Sequence, residues 1–185
     1  MLTPNQVLHG YSMGIFPMAD PEEDNVVHWY EPKQRGIIPL ETFKISKNLR
    51  RLIKQQKFEV TINQDFEKVM QACAAREDTW ISDEIIYVYT KLHEAGWGYS
   101  FETRLNGELV GGLYGISMGR AFFGESMFHT VTDASKVALV YLVSWMKDNE
   151  LELLDTQFIT DHLRQFGAIE IPQKEYLERL KKALE

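Results

Sequence analysis

The chain of 185 residues has a single cysteine, Cys73. An intrachain disulfide is therefore excluded, and so are paired-cysteine zinc and redox motifs. No apolar run approaches the roughly 18 residues of a membrane-spanning helix. The first ten residues, MLTPNQVLHG, lack a cationic stretch followed by an apolar one. No signal peptide is expected, and the default compartment is the cytoplasm. Positive charge is scarce: 20 Lys and Arg against 27 Asp and Glu leave a formal net charge of −7 and a pI near 5.3. Broad, sequence-blind binding to a polyanion is disfavoured, although a local basic patch is compatible with that balance. There is no repeat and no low-complexity tract. The histidines, His9, His28, His93, His129 and His162, include no pair at metal-site spacing, so no metal is expected. What is present is ordinary for one soluble domain, or a domain with a small appendage: 44% hydrophobic and 25% charged residues.

Thr3-Pro4-Asn5-Gln6 reads as a helix start, with a capping threonine, a proline at the first helical position and a glutamine completing the box. Gly14 ends that helix. Residues 17–25 are polar and acidic and are expected to be loop. Val26 to Tyr30 and Ile37 to Leu40 read as short strands. Residues 1–45 thus form an expected small, irregular N-terminal subdomain, with residues 46–185 as the main domain. In the latter, Ser46 caps a basic helix, Phe58 to Ile62 alternates as a strand, and Phe66, Val69, Met70 and Cys73 recur at helical spacing. Ser82 caps the next helix. Tyr99 to Leu105 and Glu108 to Gly115 flank Asn106-Gly107, a strong type I′ hairpin signal. A strand from Arg120 to Met127, a long helix capped by Asp133, a strand from Leu151 to Phe158, a short helix, a strand from Ala168 and a last helix after Pro172 complete the chain. This order fits an α+β, GNAT-like acyltransferase architecture.

Gly124-Glu125-Ser126-Met127-Phe128 has the outline of a nucleophile elbow, but Phe128 stands where the strained turn needs glycine. Residues 128–136, ahead of the long helix, contain no glycine. The bare backbone cradle that holds coenzyme A pyrophosphate is therefore missing, and no cofactor is expected. Lys47, Arg50, Arg51 and Lys54 share one helix face, a positive stripe suited to a nucleic-acid backbone. Asp155 and Gln157 share one face of a strand by its period of two. Glu125 stands in an otherwise apolar strand, where a charge needs a partner or a ligand.

Gly14-Ile15-Phe16-Pro17, Trp29, Pro32, Arg35-Gly36, Thr79-Trp80-Ile81, Gly111-Gly112-Leu113-Tyr114-Gly115, Gly124-Glu125-Ser126-Met127-Phe128, Ala134-Ser135-Lys136 and Leu154-Asp155-Thr156-Gln157 occur in that order. Together they make the chain resemble the bacterial leucyl/phenylalanyl-tRNA–protein transferases over about residues 4–175. The resemblance implies transfer of Leu or Phe from aminoacyl-tRNA to a protein beginning with Arg or Lys, which tags it for N-degron degradation. It further implies that Trp80 stacks on the 3′-terminal adenosine, a residue type suited to an unpaired base. Leu113, Phe122, Met127 and Leu142 would line the pocket for the donor side chain. Asp155 and Gln157 would be the catalytic pair, Asp155 fixing the amide with which Gln157 orients the attacking amine. Glu125 would read the cationic acceptor. Met18 replaces the tryptophan usual after Gly14-Ile15-Phe16-Pro17 and can contact a ring through sulfur. The resemblance is to a short variant, since family members usually have roughly thirty further residues before the first helix, an appendage well below domain size. On the residues alone, a GNAT-type enzyme with another acyl donor and a non-catalytic adaptor for tRNA ends or peptide N-termini stay open.

Overall fold

Neighbouring apolar residues in two strands set the frame. Phe123 and Leu153 enter one core, while Phe122 and Leu154 enter another on the opposite side of the sheet. A strand buried on both faces reads as a continuous apolar run, and helices must cover both sides. The computed structural model describes residues 1–185. Its elements are α1 (Pro4–Ser12), β1 (Phe16–Asp20), β2 (Val26–Tyr30), β3 (Gln34–Ile37), α2 (Lys47–Lys54), β4 (Glu59–Ile62), α3 (Phe66–Ala74), α4 (Asp83–Glu94), β5 (Gly98–Leu105), β6 (Glu108–Met118), β7 (Ala121–His129), α5 (Ala134–Asp148), β8 (Leu153–Gln157), α6 (Asp161–Arg164), β9 (Ile169–Pro172) and α7 (Gln173–Leu184). The fold is α+β and GNAT-like, as the element order implied.

The large sheet runs β4-β5-β6-β7-β8-β3-β9. Only β7 and β8 pair in parallel; the other neighbours are antiparallel. Residues of α1, α3, α4 and α7 cover one face, and residues of α2 and α5 the other. Local chemistry starts these elements where expected. Thr3 and Gln6 form the reciprocal capping box, and Ser46 and Ser82 accept from Leu49 and Ile85. Asn106 and Gly107 both take positive φ, 52° and 82°, as a type I′ turn requires.

Three expectations are corrected. Residues 17–25 are not all loop, because β1 pairs with β2 from Phe16↔Tyr30 to Asp20↔Val26. Burial of Phe16 and Ala19 outweighs the polar character of that stretch. Residues 34–45 are not part of a separate N-terminal unit. β3 is an interior strand of the large sheet, and Ile38 and Leu40 lie in its core. Asp133 precedes α5 in the left-handed region (φ 70°) and makes no side-chain cap; its carboxylate pairs with Lys136 at 3.3 Å instead.

Candidate active site

Two features of the sheet make a cavity. The parallel pairing of β7 with β8 ends at Phe123↔Asp155, so the strands part beyond it. The β6–β7 register shifts at the same level: Tyr114 faces Ser126 and Gly115 faces Gly124, leaving Glu125 as the extra residue of a bulge. A bulge re-aims its side chain, and Glu125 turns into the gap. The result is a cavity of about 270 Å³. Its apolar wall includes Leu113, Met127, Leu139, Leu142 and Leu154, and its polar end includes Glu125, Thr156 and Gln157. Met18 and Trp80 stand on its rim. Trp80 is half-buried, and its carbonyl accepts from Ala19 N at 3.1 Å, which ties the indole segment to β1.

Behind the cavity lies a buried ion pair. Arg35 on β3 donates to Asp155 through Nε at 3.0 Å and Nη2 at 2.6 Å. Tyr176 Oη donates to Asp155 Oδ2 at 2.6 Å, and Gln157 N to Oδ1 at 2.7 Å. Arg35 also donates to Gly14 O at 2.7 Å, and its guanidinium lies 4.2 Å from the Tyr176 ring centre and 4.8 Å from that of Phe16. Burial opposes the Arg35 charge, but the adjacent Asp155 carboxylate more than offsets this and holds the group above its ordinary pKa. β3 can approach the end of β8 because residue 36 is glycine; a Cβ there would lie 2.5 Å from Phe158 O.

Gln157 sits at φ 64°, a region that costs a non-glycine residue about 1–2 kcal/mol. Its N–H bond to Asp155 holds that bend and turns the side chain into the cavity. There Gln157 Nε2 donates to Glu125 Oε2 at 3.1 Å. The other Glu125 oxygen accepts from Tyr11 Oη, whose hydroxyl lies 2.7 Å from that of Tyr89. Burial pushes the Glu125 carboxyl well above its ordinary pKa, with Asp155 adding to the rise and the Gln157 bond opposing it.

The expected residues thus divide. Met18, Trp80, Leu113, Glu125, Met127, Leu142 and Gln157 meet at one cavity. Two do not reach its wall. Phe122 lies in the core against Phe101 and Trp145, at the level where β7 and β8 are still paired. Asp155 is fully buried and fixes the backbone of Gln157, not its side-chain amide. Arg35, Tyr11 and Tyr176 escaped the sequence reading of the site. The available signal was Arg35 itself, a charge just ahead of Ile37-Ile38-Pro39-Leu40 that needed a carboxylate. Trp29 is no substitute for the replaced tryptophan, because it packs over Gly10 and lines a separate recess with His9 and Ile15. Lys47, Arg50, Arg51 and Lys54 are all exposed, with Leu49 turned inward. Ser126 is within β7 and not on a strand-to-helix turn, so no nucleophile elbow forms.

An apolar cavity with an acid–amide end, opened where two strands of the sheet part, has the make-up of a group-transfer site. Comparison with known proteins makes that particular. Residues 37–181 match the leucyl/phenylalanyl-tRNA protein transferase family, and residues 1–33 match that family's N-terminal domain. A leucyl/phenylalanyl-tRNA–protein transferase of Rhodopseudomonas palustris strain HaA2 is 51% identical over 188 residues, covering 100% of this chain and 84% of its own. One of Gloeobacter violaceus is 51% identical over 183 residues, covering 99% and 94%. The chain belongs to the leucyl/phenylalanyl-tRNA protein transferase family. Solved structures bear on the fold alone: FemX (TM-score 0.58, 10% identity, 88% of this chain and 65% of that one) and L-PGS from Bacillus licheniformis (TM-score 0.50, 14%, 85% and 60%).

The buried pair predicts a large stability effect. Arg35→Ala leaves the Asp155 carboxylate buried without its counter-charge and is expected to lower unfolding free energy by about 3–5 kcal/mol in denaturant titration.

Glu125 predicts a pH effect of defined sign. Its carboxyl is raised in the folded state, so above the unfolded value, about 4.3, the folded protein keeps a proton that the unfolded chain has lost. That contribution to stability is complete at lower pH and is lost as pH rises through the folded value. Glu125→Gln is expected to flatten the fall in melting temperature as pH rises above the unfolded carboxyl value of about 4.3; parallel profiles for the two proteins would contradict the assignment.

Proposed function

We propose that this chain moves leucine or phenylalanine from aminoacyl-tRNA to the α-amino group of a protein that begins with arginine or lysine, in the cytoplasm, and so marks that protein for degradation. One observation supports this most. A half-buried indole, an apolar wall and an acid–amide pair surround a single cavity. Trp80 offers its plane to the terminal adenosine, and Met18 flanks it. Leu113, Met127 and Leu142 receive the donor side chain. No helix is long and apolar enough to cross a membrane.

The reaction asks little of the protein. An aminoacyl ester is already activated, and an α-amino group with a pKa of about 7.7–8.0 is partly neutral near pH 7. The amine nitrogen attacks the ester carbonyl carbon, forming the C–N bond. The tetrahedral centre collapses, the C–O bond to the ribose breaks, and the proton lost by the amine ends on the ribose oxygen. The products are an amide and a free hydroxyl, and no further reactant is needed. Gln157 gives its amide N–H to Glu125, which leaves its carbonyl oxygen to accept from the incoming amine. Glu125, kept toward its neutral form by burial, releases its proton to solvent and becomes the counter-charge when a cationic N-terminal residue enters. Asp155 positions Gln157 through its backbone and does not touch the reactants. Much of the acceleration then comes from orientation. Held against α5, which also supplies Leu139 and Leu142 to the cavity, α2 presents Lys47, Arg50, Arg51 and Lys54 to the tRNA backbone.

The test is transfer of radiolabelled leucine or phenylalanine from charged tRNA to peptides starting with Arg, Lys or Ala. Transfer to the first two is expected. Trp80→Ala should weaken donor binding by about 1–3 kcal/mol, whereas Asp155→Asn should lower turnover with donor affinity kept. Absence of transfer with intact tRNA binding would instead favour an adaptor.

Replacing Lys47, Arg50, Arg51 and Lys54 together by alanine should weaken all tRNAs alike and reduce the slope of log affinity against log salt by about 3–4. An unchanged slope would remove α2 from the interface.

A further inference from the structure

A second cavity, of about 570 Å³, adjoins the first. Arg76, Met127 and His162 line both, so the two spaces share a wall. The rest of the second cavity's polar wall includes His129 on β7 and Ser135 at the start of α5. No aspartate or glutamate is among its lining residues, in a chain whose net charge is −7. Arg76 spends one N–H on Met127 O at 2.7 Å and has no carboxylate partner in any ion pair of the structure. Ser135 is buried, and its Oγ lies 3.5 Å from His129 Nδ1. Burial first, then Lys136 and His129, pull His162 below its ordinary pKa, and only Asp133 opposes them. Asp133 is itself paired with Lys136. Cationic and N–H donor groups that converge on a cavity without an acid to answer them are built for an anion.

Geometry says which anion. A nucleoside held on Trp80 in the first cavity must continue into the rest of its strand through a phosphodiester. Arg76, only four residues before Trp80, stands where the two cavities join. We propose that the second cavity binds the phosphodiester on the 5′ side of the terminal adenosine, with Arg76 as its fixed cation and His129 and His162 as donors. This rests on the reading of the first cavity given above. It assigns to the second cavity a short segment of charged backbone, distinct from the stripe on α2, and it anchors the strand beside the ester so that the reacting carbon is held from two sides.

The experiment compares two stable donor mimics on the full chain by calorimetry. One is 3′-deoxy-3′-phenylalanylamido-adenosine, which has no phosphate. The other is the same nucleoside joined through its 5′ oxygen to cytidine by a phosphodiester. The dinucleotide is expected to bind wild type about tenfold tighter than the nucleoside, the effect of one or two charge-assisted hydrogen bonds. Arg76→Ala and His129→Ala should each remove most of that advantage. His129 lines the second cavity and not the first, so His129→Ala should change nucleoside affinity by less than about twofold. If the nucleoside binds wild type but the phosphodiester adds nothing, or if its advantage survives both substitutions, the inference is overturned while the first cavity's reading stands. If neither compound binds wild type, both fall together.

Discussion

The contact between Arg35 and Asp155 holds the site's backbone in place. Asp155 accepts from both prongs of one guanidinium edge, from the Tyr176 hydroxyl and from the Gln157 backbone. Two charges taken out of water gain little net stability even when well paired, and apolar residues of similar size would often do as well. What apolar residues would not supply is direction. The carboxylate joins β3 to β8, and through Tyr176 it draws in α7. It also holds Gln157 in a left-handed bend that no local preference favours. Charge is used here to fix a geometry, and the amide that faces the cavity inherits that precision.

Glu125 reaches the same place by a different route. A bulge, not an ion pair, turns it out of the plane of β7. Its two oxygens are then met by Tyr11 from α1 and by Gln157 from β8. The N-terminal helix is thereby wired to the centre of the site, and the small two-stranded sheet β1–β2 carries Met18 and holds Trp80 at the rim. A cavity that opens where two parallel strands part has walls from both cores, which explains how it can be greasy along its length and polar at one end.

Much of this was legible in the residues, and the reasons for the rest are physical. Caps at Thr3, Ser46 and Ser82 and the Asn106-Gly107 turn are set within a few residues, so local chemistry reads them. Trp80, Met127, Glu125 and Gln157 were placed at one site because the motif order matches a family. The place of β3 was hidden, since its partners are β8 and β9, more than a hundred residues away. The same distance concealed the Arg35–Asp155 pair. Two isolated buried charges of opposite sign, each beside apolar residues, were nonetheless a reason to join them. Phe122 was assigned to the pocket by the family resemblance, but the opening depends on where the β7–β8 ladder stops, and no local pattern encodes that point. Asp133 looked like a cap, and a lysine one turn on took its carboxylate.

The shape of the cavity also bounds how selective the enzyme is by itself. Its side-chain wall is made of leucines and a methionine, with Glu125, Thr156 and Gln157 grouped at one end and Arg76 and His162 at the border with the second cavity. Such a wall rejects charged and strongly polar side chains, which would lose water without gaining a partner. It discriminates weakly among apolar ones, because one methylene more or less is worth only about 1–3 kcal/mol. Met127, unbranched and easily repacked, widens that tolerance further. A space of about 270 Å³ therefore selects a class, large and apolar, in preference to a single amino acid. On the proposed reading, finer selection comes from the nucleic-acid half of the donor, to which an indole, a basic helix and a cavity lined by no acidic residue would make separate contacts. In an acidic chain those contacts have to be local and short-ranged, since the overall field repels the ligand they bind.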